Sequence, residues 1–409
     1  MQEDSLMIAI PKNNKDIRDP RKFEERLRAN DNIEVLKIGL DDFKRVAIDL
    51  TVDKREYTIY LTIEGVQIPP FIVINHHFSD KEIKMIKKAD TGLGVSMSFK
   101  GDARVCFYDQ LRIINTMVPG LLAVMDVPSE KLISGRWIEL AVQSKVTPAP
   151  RYLFTVQAIS GDDDEVWLHT HGLNRCGLYE LEVLYSNKEH YNTHYQVIET
   201  MAYRMLEADE PINPGDAVLN AQLQGGDWIV TTAVKWEDAV KFYPDAQMGI
   251  EGDRDEYHSD YYTIMTYKTP EDEDNKYYSC LQDFDDVIEN NPIFMISTPE
   301  TERMSALARE RIDYFIKAKK KVKKSMCLVK IGLKTDNEEE CGMPREHIWF
   351  ELKDVKDGRL VAELTQAPYF VSNIKEGDIG TYDIDEVTDW LIFTPDGRIS
   401  PDDVYRLDL

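Results

Sequence analysis

The stretch Val166-Trp167-Leu168-His169-Thr170-His171-Gly172-Leu173-Asn174-Arg175-Cys176-Gly177-Leu178-Tyr179-Glu180-Leu181-Glu182-Val183-Leu184-Tyr185 reads as a β-hairpin. Alternation puts Val166, Leu168 and Thr170 on one face of its first strand and Trp167, His169 and His171 on the other. Gly172 and Gly177 bracket the turn. In the returning strand Glu180 and Glu182 share a face, opposite Leu181, Val183 and Tyr185. In-register pairing would bring imidazoles to carboxylates. A helix predicted from about residue 189 to 206 carries His190 and His194 one turn apart, so four of the eight histidines fall close together.

Outward from the hairpin, the pattern is α+β, multi-domain, with mixed or antiparallel sheets and flanking helices. Residues 1–78 read as a small α+β subdomain, with a helix starting at Asp19-Pro20 and an alternating strand from Tyr57 to Ile63. Residues 79–245 read as a central α+β domain. It has a strand at 94–99, a helix from Ala103 to Met117, a second helix from Glu130 to Val142, and a strand from Tyr152 to Ile159 that leads through the acidic turn Gly161-Asp162-Asp163-Asp164 into the hairpin. Residues 246–294, rich in Asp, Glu and Gly, read as an exposed acidic connector. Residues 295–409 read as a strand-rich domain behind a leading helix, begun at Ser297-Thr298-Pro299 and ending in Lys317–Lys324. Within it, Asp357-Gly358 is a tight hairpin turn.

Composition narrows the function. The 409 residues carry 74 Asp and Glu against 49 Lys and Arg, a formal charge of −25. Such a surface repels phosphate backbones and anionic membranes, so neither nucleic acid nor membrane is an expected partner. No apolar run reaches the length needed to span a bilayer, and the first residues have neither the basic start nor the long apolar core expected of a secretory leader. The five cysteines Cys106, Cys176, Cys280, Cys327 and Cys341 form no C-x-x-C pair and fit free thiols in a cytoplasmic protein.

Each candidate site has two readings. His169 and His171 could share a divalent ion that Glu180 and Glu182 complete. The preferred reading is packing beside Trp167 with donation to backbone carbonyls, and hence no metal and no cofactor. Cys176 beside Arg175 suggests a Cys–His hydrolase, since a cation lowers a thiol pKa, but an inert thiol is the default. In the last domain, Glu346 and Ile348 take one strand face and His347 and Trp349 the other. Asp378 and Asp389, the latter before Trp390, could pair for acid–base work, although turn capping suffices.

Residues 297–409 resemble a widespread bacterial domain of unknown function, through the helix pattern Met304 to Phe315, the strand Glu346-His347-Ile348-Trp349, the turn Gly377-Asp378 and the strand Asp389-Trp390. At the end, Ser400 to Arg406 replaces the Gly-rich turn that usually precedes the last strand. Residues 1 to about 245, with W-L-H-T-H-G-L and E-L-E, resemble a second uncharacterised bacterial family found upstream of that module. The resemblance implies a cytoplasmic protein of a Firmicutes-like lineage and transfers no catalytic residues. Because such modules travel with conflict and toxin-immunity genes, it points to a non-catalytic protein-binding or immunity-type module. Its binding residues would come from Trp167, His169, His171, Arg175, Glu180, Glu182, His347, Trp349, Asp389 and Trp390. The competing expectation is a metal-dependent hydrolase centred on the hairpin.

Overall fold

The computed structural model describes residues 3–407 except 71, 73, 75, 162–163, 224–226, 256–257, 289–292, 295–297, 323 and 338–343. Cys341, Ser297 of the expected helix start, and Asp162 and Asp163 of the acidic turn lie outside the described residues. The chain forms three sheets with flanking helices, in two compact units: residues 1–138 with 148–295, and residues 139–147 with 296–409.

Strands β1 (Ser5–Pro11), β2 (Ile33–Leu40), β3 (Val46–Val52), β4 (Arg55–Gly65), β5 (Thr91–Met97), β6 (Leu121–Asp126) and β7 (Lys131–Ser134) make an antiparallel sheet ordered β2-β3-β4-β5-β1-β6-β7. The boundary expected near residue 78 falls inside this sheet, because β5 pairs with both β4 and β1. A strand closes between two chain segments here, and only pairing reveals that. The helix expected from Glu130 to Val142 is also corrected. Glu130 turns left-handed, with φ 53°, and Lys131–Ser134 pairs with β6, leaving a helix only over Gly135–Ala141. All four residues of β7 are buried, so no polar alternation marked it as a strand.

The second sheet belongs to the same unit. It contains β8 (Thr155–Ser160), β9 (Glu165–His171), β10 (Glu180–Asn187), β11 (Val218–Gln222), β12 (Trp228–Lys235), β13 (Tyr261–Tyr267) and β14 (Ile293–Phe294), ordered β14-β11-β12-β13-β10-β9-β8. The hairpin β9–β10 has the expected faces, with Glu182 opposite His169 and Val183 opposite Leu168. On one face Leu168, Leu181 and Val183 pack with Val197, Ile198 and Met201 of the helix Tyr191–Glu207. On the other, Trp167, Leu184, Val234 and Met265 pack with Ala239 and Tyr243.

The acidic connector is not a connector. Its strand β13 lies at the sheet centre, parallel to β10 and antiparallel to β12. Six of the seven residues of β13 are buried, on both faces, which erases the period-2 signal, while acidic flanks raise the local charge. Residues 247–249 are tied to the sheet. Glu165 accepts from the backbone N–H groups of Gln247 and Met248 (3.0 and 3.1 Å). Gly249, at φ 68°, sits where a Cβ would come within 2.5 Å of Leu184 and 2.9 Å of the Trp167 ring.

In the other unit, β15 (Met326–Lys334), β16 (Arg345–Lys356), β17 (Arg359–Leu364), β18 (Ile379–Tyr382), β19 (Val387–Thr394) and β20 (Gly397–Ile399) form a sheet ordered β18-β17-β16-β15-β19-β20. The helices Thr298–Glu310 and Ile312–Lys321 accompany it, and Phe315 packs with Val329, Phe350 and Trp390 in one core. Asp357 and Gly358 both take positive φ between the paired Lys356 and Arg359, as a primed turn requires. Ser400 to Arg406 ends in a 3₁₀ turn over Pro401–Arg406 in place of a further strand.

A buried three-histidine cluster as candidate metal centre

The hairpin strand β9 delivers His169 and His171 to the sheet face on which Ala239, Tyr243 and Arg254 pack, and the same stretch supplies a third imidazole, His258. One nitrogen from each ring lies within 4.8 Å of the others. Ring centroids are 4.9 Å (His169–His171), 5.2 Å (His169–His258) and 5.3 Å (His171–His258) apart, with interplanar angles of 76°, 85° and 79°. A tetrahedral ion with metal–nitrogen bonds of about 2.0–2.1 Å sets ligand nitrogens about 3.4 Å apart and imidazole centroids about 5 Å apart. The ring spacing is therefore that of such a ligand set.

Hydrogen bonds fix the tautomers of two of the rings. Asp255 accepts from His258 Nδ1 at 2.7 Å, which leaves the lone pair on Nε2. Tyr261 donates its one hydroxyl proton to the Thr170 carbonyl at 2.6 Å, so towards His171 Nδ1, at 3.4 Å, it can only accept. That puts the His171 lone pair on Nε2. His169 is fully buried and neither of its ring nitrogens has a partner, although Trp167 lies against it at 4.2 Å. The expected donation from His169 to backbone carbonyls is not found. An orphaned imidazole is costly in a core and calls for an explanation. Burial and the neighbouring imidazoles push the His169 pKa well below the ordinary histidine value, and burial brings that of His171 down to about 3, so both rings are neutral.

The carboxylates expected as ligands have other work. Glu182 is buried and accepts from Trp167 Nε1 (3.0 Å), Thr263 (2.7 Å) and Arg254 (2.8 and 3.0 Å). Arg254 in turn lies over the Trp236 and Trp167 rings at 4.4 and 5.2 Å, so this pair pins the loop that carries His258. Glu180 accepts from Thr170 (2.7 Å) and from the backbone of Gly172 (2.8 Å) and Asn174 (3.0 Å), which shapes the hairpin turn. Burial raises its pKa. A different carboxylate approaches the cluster: Glu130 Oε2 lies 3.8 Å from His171 Nε2 and accepts from Gln157. Burial pushes its pKa up to about 7.

The remaining candidates are structural. Arg175 is buried and clamps Asp126 (2.8 Å), Ser5 (3.1 Å) and the Leu153 carbonyl (2.8 Å), joining the first and second sheets. Cys176 gains nothing from it: burial outweighs the cation and drives the thiol pKa up to about 12, which overturns the Cys–His reading. The described cysteines Cys106, Cys176, Cys280 and Cys327 are free. His194 is buried away from the cluster between Ser186 and Asp285, at 2.8 Å from each, with His190 3.9 Å from Asp285.

In the last sheet, His347 meets Thr388 (3.1 Å) and Lys330 lies over Trp349 (5.6 Å). Burial raises the Asp389 pKa. Trp390 faces the opposite way, fully buried, donating to the Ala308 carbonyl at 2.9 Å. Asp378 accepts from the backbone of Lys375 (3.0 Å), which is turn capping, while Glu346 accepts from that of Tyr369 and Phe370 (2.8 Å each).

The sequence reading missed His258 and Glu130. Both had local signals, an Asp three residues before His258 and a Glu at the end of the Val127–Glu130 turn, but neither is near the hairpin in sequence.

Fold and site together define a multi-domain α+β protein with a metal-type histidine cluster on its second sheet. Family models match it in three places. Residues 5–148 match "Protein of unknown function (DUF4026) N-terminal", residues 156–266 match "Protein of unknown function (DUF4026) C-terminal", and residues 299–399 match "Uncharacterized protein conserved in bacteria (DUF2314)". The two DUF4026 segments together span more than half the chain, which belongs to that family and carries a DUF2314 domain behind it. All three histidines lie in the second match and Glu130 in the first. Comparison with curated proteins and with solved structures gives no match.

Proposed function

We propose that this chain binds one divalent transition-metal ion, zinc by its all-nitrogen donor set, through His169, His171 and His258. The observation that carries this reading is His169, a fully buried imidazole with two unpartnered nitrogens, beside two other imidazoles that each bring a nitrogen within 4.8 Å. Protein purified without chelator should hold close to one equivalent of zinc by plasma mass spectrometry, and His169→Ala should hold none. A wild-type protein that neither retains nor takes up zinc, cobalt or nickel sinks the reading.

A protein-binding role is the second reading. It is favoured by Leu36, Ile38 and Leu40 on the edge strand β2 and by Phe43 beyond it, all exposed. A bacterial setting fits the last domain's match to a family conserved in bacteria, and a cytoplasmic one fits the free thiols. Among the described residues no helix is long and apolar enough to cross a membrane.

A further inference from the structure

We propose that Glu130 is the proton acceptor for a water bound to that metal, so that the site hydrolyses neutral acyl compounds, esters or amides; this rests on the metal reading above. Three observations lead there. First, His169, His171 and His258 supply three protein ligands, which is the catalytic zinc pattern with one position left for water. The His171, His258 and Glu130 side chains meet solvent, at 11, 19 and 22% exposure, while His169 is fully buried. Second, the Glu130 carboxylate stands 3.8 Å from the His171 nitrogen that carries the lone pair, and Gln157 holds it there. A group one atom beyond a ligand nitrogen is within reach of a metal-bound water.

The third observation is the backbone. Glu130 closes the turn between β6 and β7, its N–H donating to the Val127 carbonyl at 3.2 Å, and takes φ 53°. Glycine or asparagine is the ordinary residue in that conformation, and another L-residue costs about 1 kcal/mol. The carboxylate that this turn carries reaches past it to Gln157 and His171, so the strained backbone aims the side chain at the cluster.

The chemistry balances with water as the only co-reactant. Glu130 takes a proton from the metal-bound water, and the hydroxide so formed adds to the acyl carbon while the metal stabilises the carbonyl oxygen. The carbon–oxygen or carbon–nitrogen bond then breaks, and the proton on Glu130 passes to the departing alcohol or amine. Acyl substrates are favoured over phosphoesters by the surroundings: Glu130 and Asp255 flank the cluster, Lys131 is buried and turned into the carbonyls of Arg151 and Phe154, and the chain carries a charge of −25.

The test uses full-length protein loaded with zinc. Zinc content, hydrolysis of 4-nitrophenyl acetate and of bis(4-nitrophenyl) phosphate, and melting temperature are read for wild type, Glu130→Gln and Glu130→Gly. The expected result is acetate hydrolysis that chelator abolishes, and a Glu130→Gln variant that keeps its zinc but loses about 100-fold or more in kcat/KM. Glu130→Gly should lose as much while melting at the same or a higher temperature, which a merely structural glutamate would not do. Zinc loss in Glu130→Gln would make Glu130 a fourth ligand and overturn the proposal, as would activity retained within threefold. Zinc-loaded wild type that leaves the acetate intact, or cleaves the phosphodiester instead, overturns it while sparing the metal reading. A wild type without zinc overturns both.

Discussion

Two histidines are fully buried on the second sheet and its helix, and they differ in one respect. His194 has both ring nitrogens at 2.8 Å from a partner, Ser186 on one side and Asp285 on the other, whereas His169 has neither nitrogen engaged. A buried imidazole with both partners is a finished structural element, in which every polar atom removed from water has been given a substitute. A buried imidazole with none leaves two polar atoms without a substitute for water, and its surroundings are two more imidazoles, held by Asp255 and Tyr261. Burial alone would have ranked the two alike. The difference between them is the accounting of donors and acceptors.

The sharpest way to break that comparison is Glu182→Ala. It strips Arg254 of its buried counter-ion and releases the loop that presents His258, so it should cost about 3–5 kcal/mol in urea unfolding and also abolish zinc uptake. Retained zinc in a folded Glu182→Ala protein would mean that the loop does not depend on this pair. Next in size, His194→Ala should lose about 1–3 kcal/mol because Ser186 and Asp285 lose their partner, yet bind zinc as wild type does. Weaker zinc binding in that variant would place His194 on the wrong side of the comparison.

Asp255→Asn leaves the three ligands intact and removes only the carboxylate that orients His258. Competition with a chromophoric chelator should show zinc affinity reduced about 10-fold, with no loss of stability in the metal-free protein. The smallest effect separates both clusters from an ordinary buried charge. Lys131, donating to two carbonyls, has its pKa lowered by burial from 10.5 to about 7. Between those values the unfolded chain binds the proton and the folded chain does not, so the contribution of Lys131 to stability rises with pH, by at most about 1.4 kcal/mol per unit. Urea midpoints between pH 7.5 and 9 should climb more steeply in wild type than in Lys131→Met; parallel curves would show that Lys131 stays charged.

Much of this protein was legible in its sequence. The alternation from Val166 to His171 fixed which residues share the histidine face, because a strand's side-chain period depends on backbone geometry alone, and the carboxylate expected opposite the imidazoles is indeed Glu182, across from His169. The helix Tyr191–Glu207 and the Asp357-Gly358 turn followed from equally local rules. Tertiary structure decided what those faces meet. Glu182 and Glu180 are on the predicted face, but Arg254, Trp167, Thr263 and the turn backbone take up their oxygens, and no local pattern records the competing donors. The third imidazole comes from a stretch whose acidity suggested a solvated connector, since residue-by-residue polarity cannot show that Glu165 holds Gln247 and Met248, or that Arg254 will be neutralised from below. Glu130 arrives from a different sheet, through a turn that forms only because β7 pairs with β6. Spacing along the chain determines faces; which side chains converge on a common point is set by strand pairing and loop docking between residues far apart in sequence.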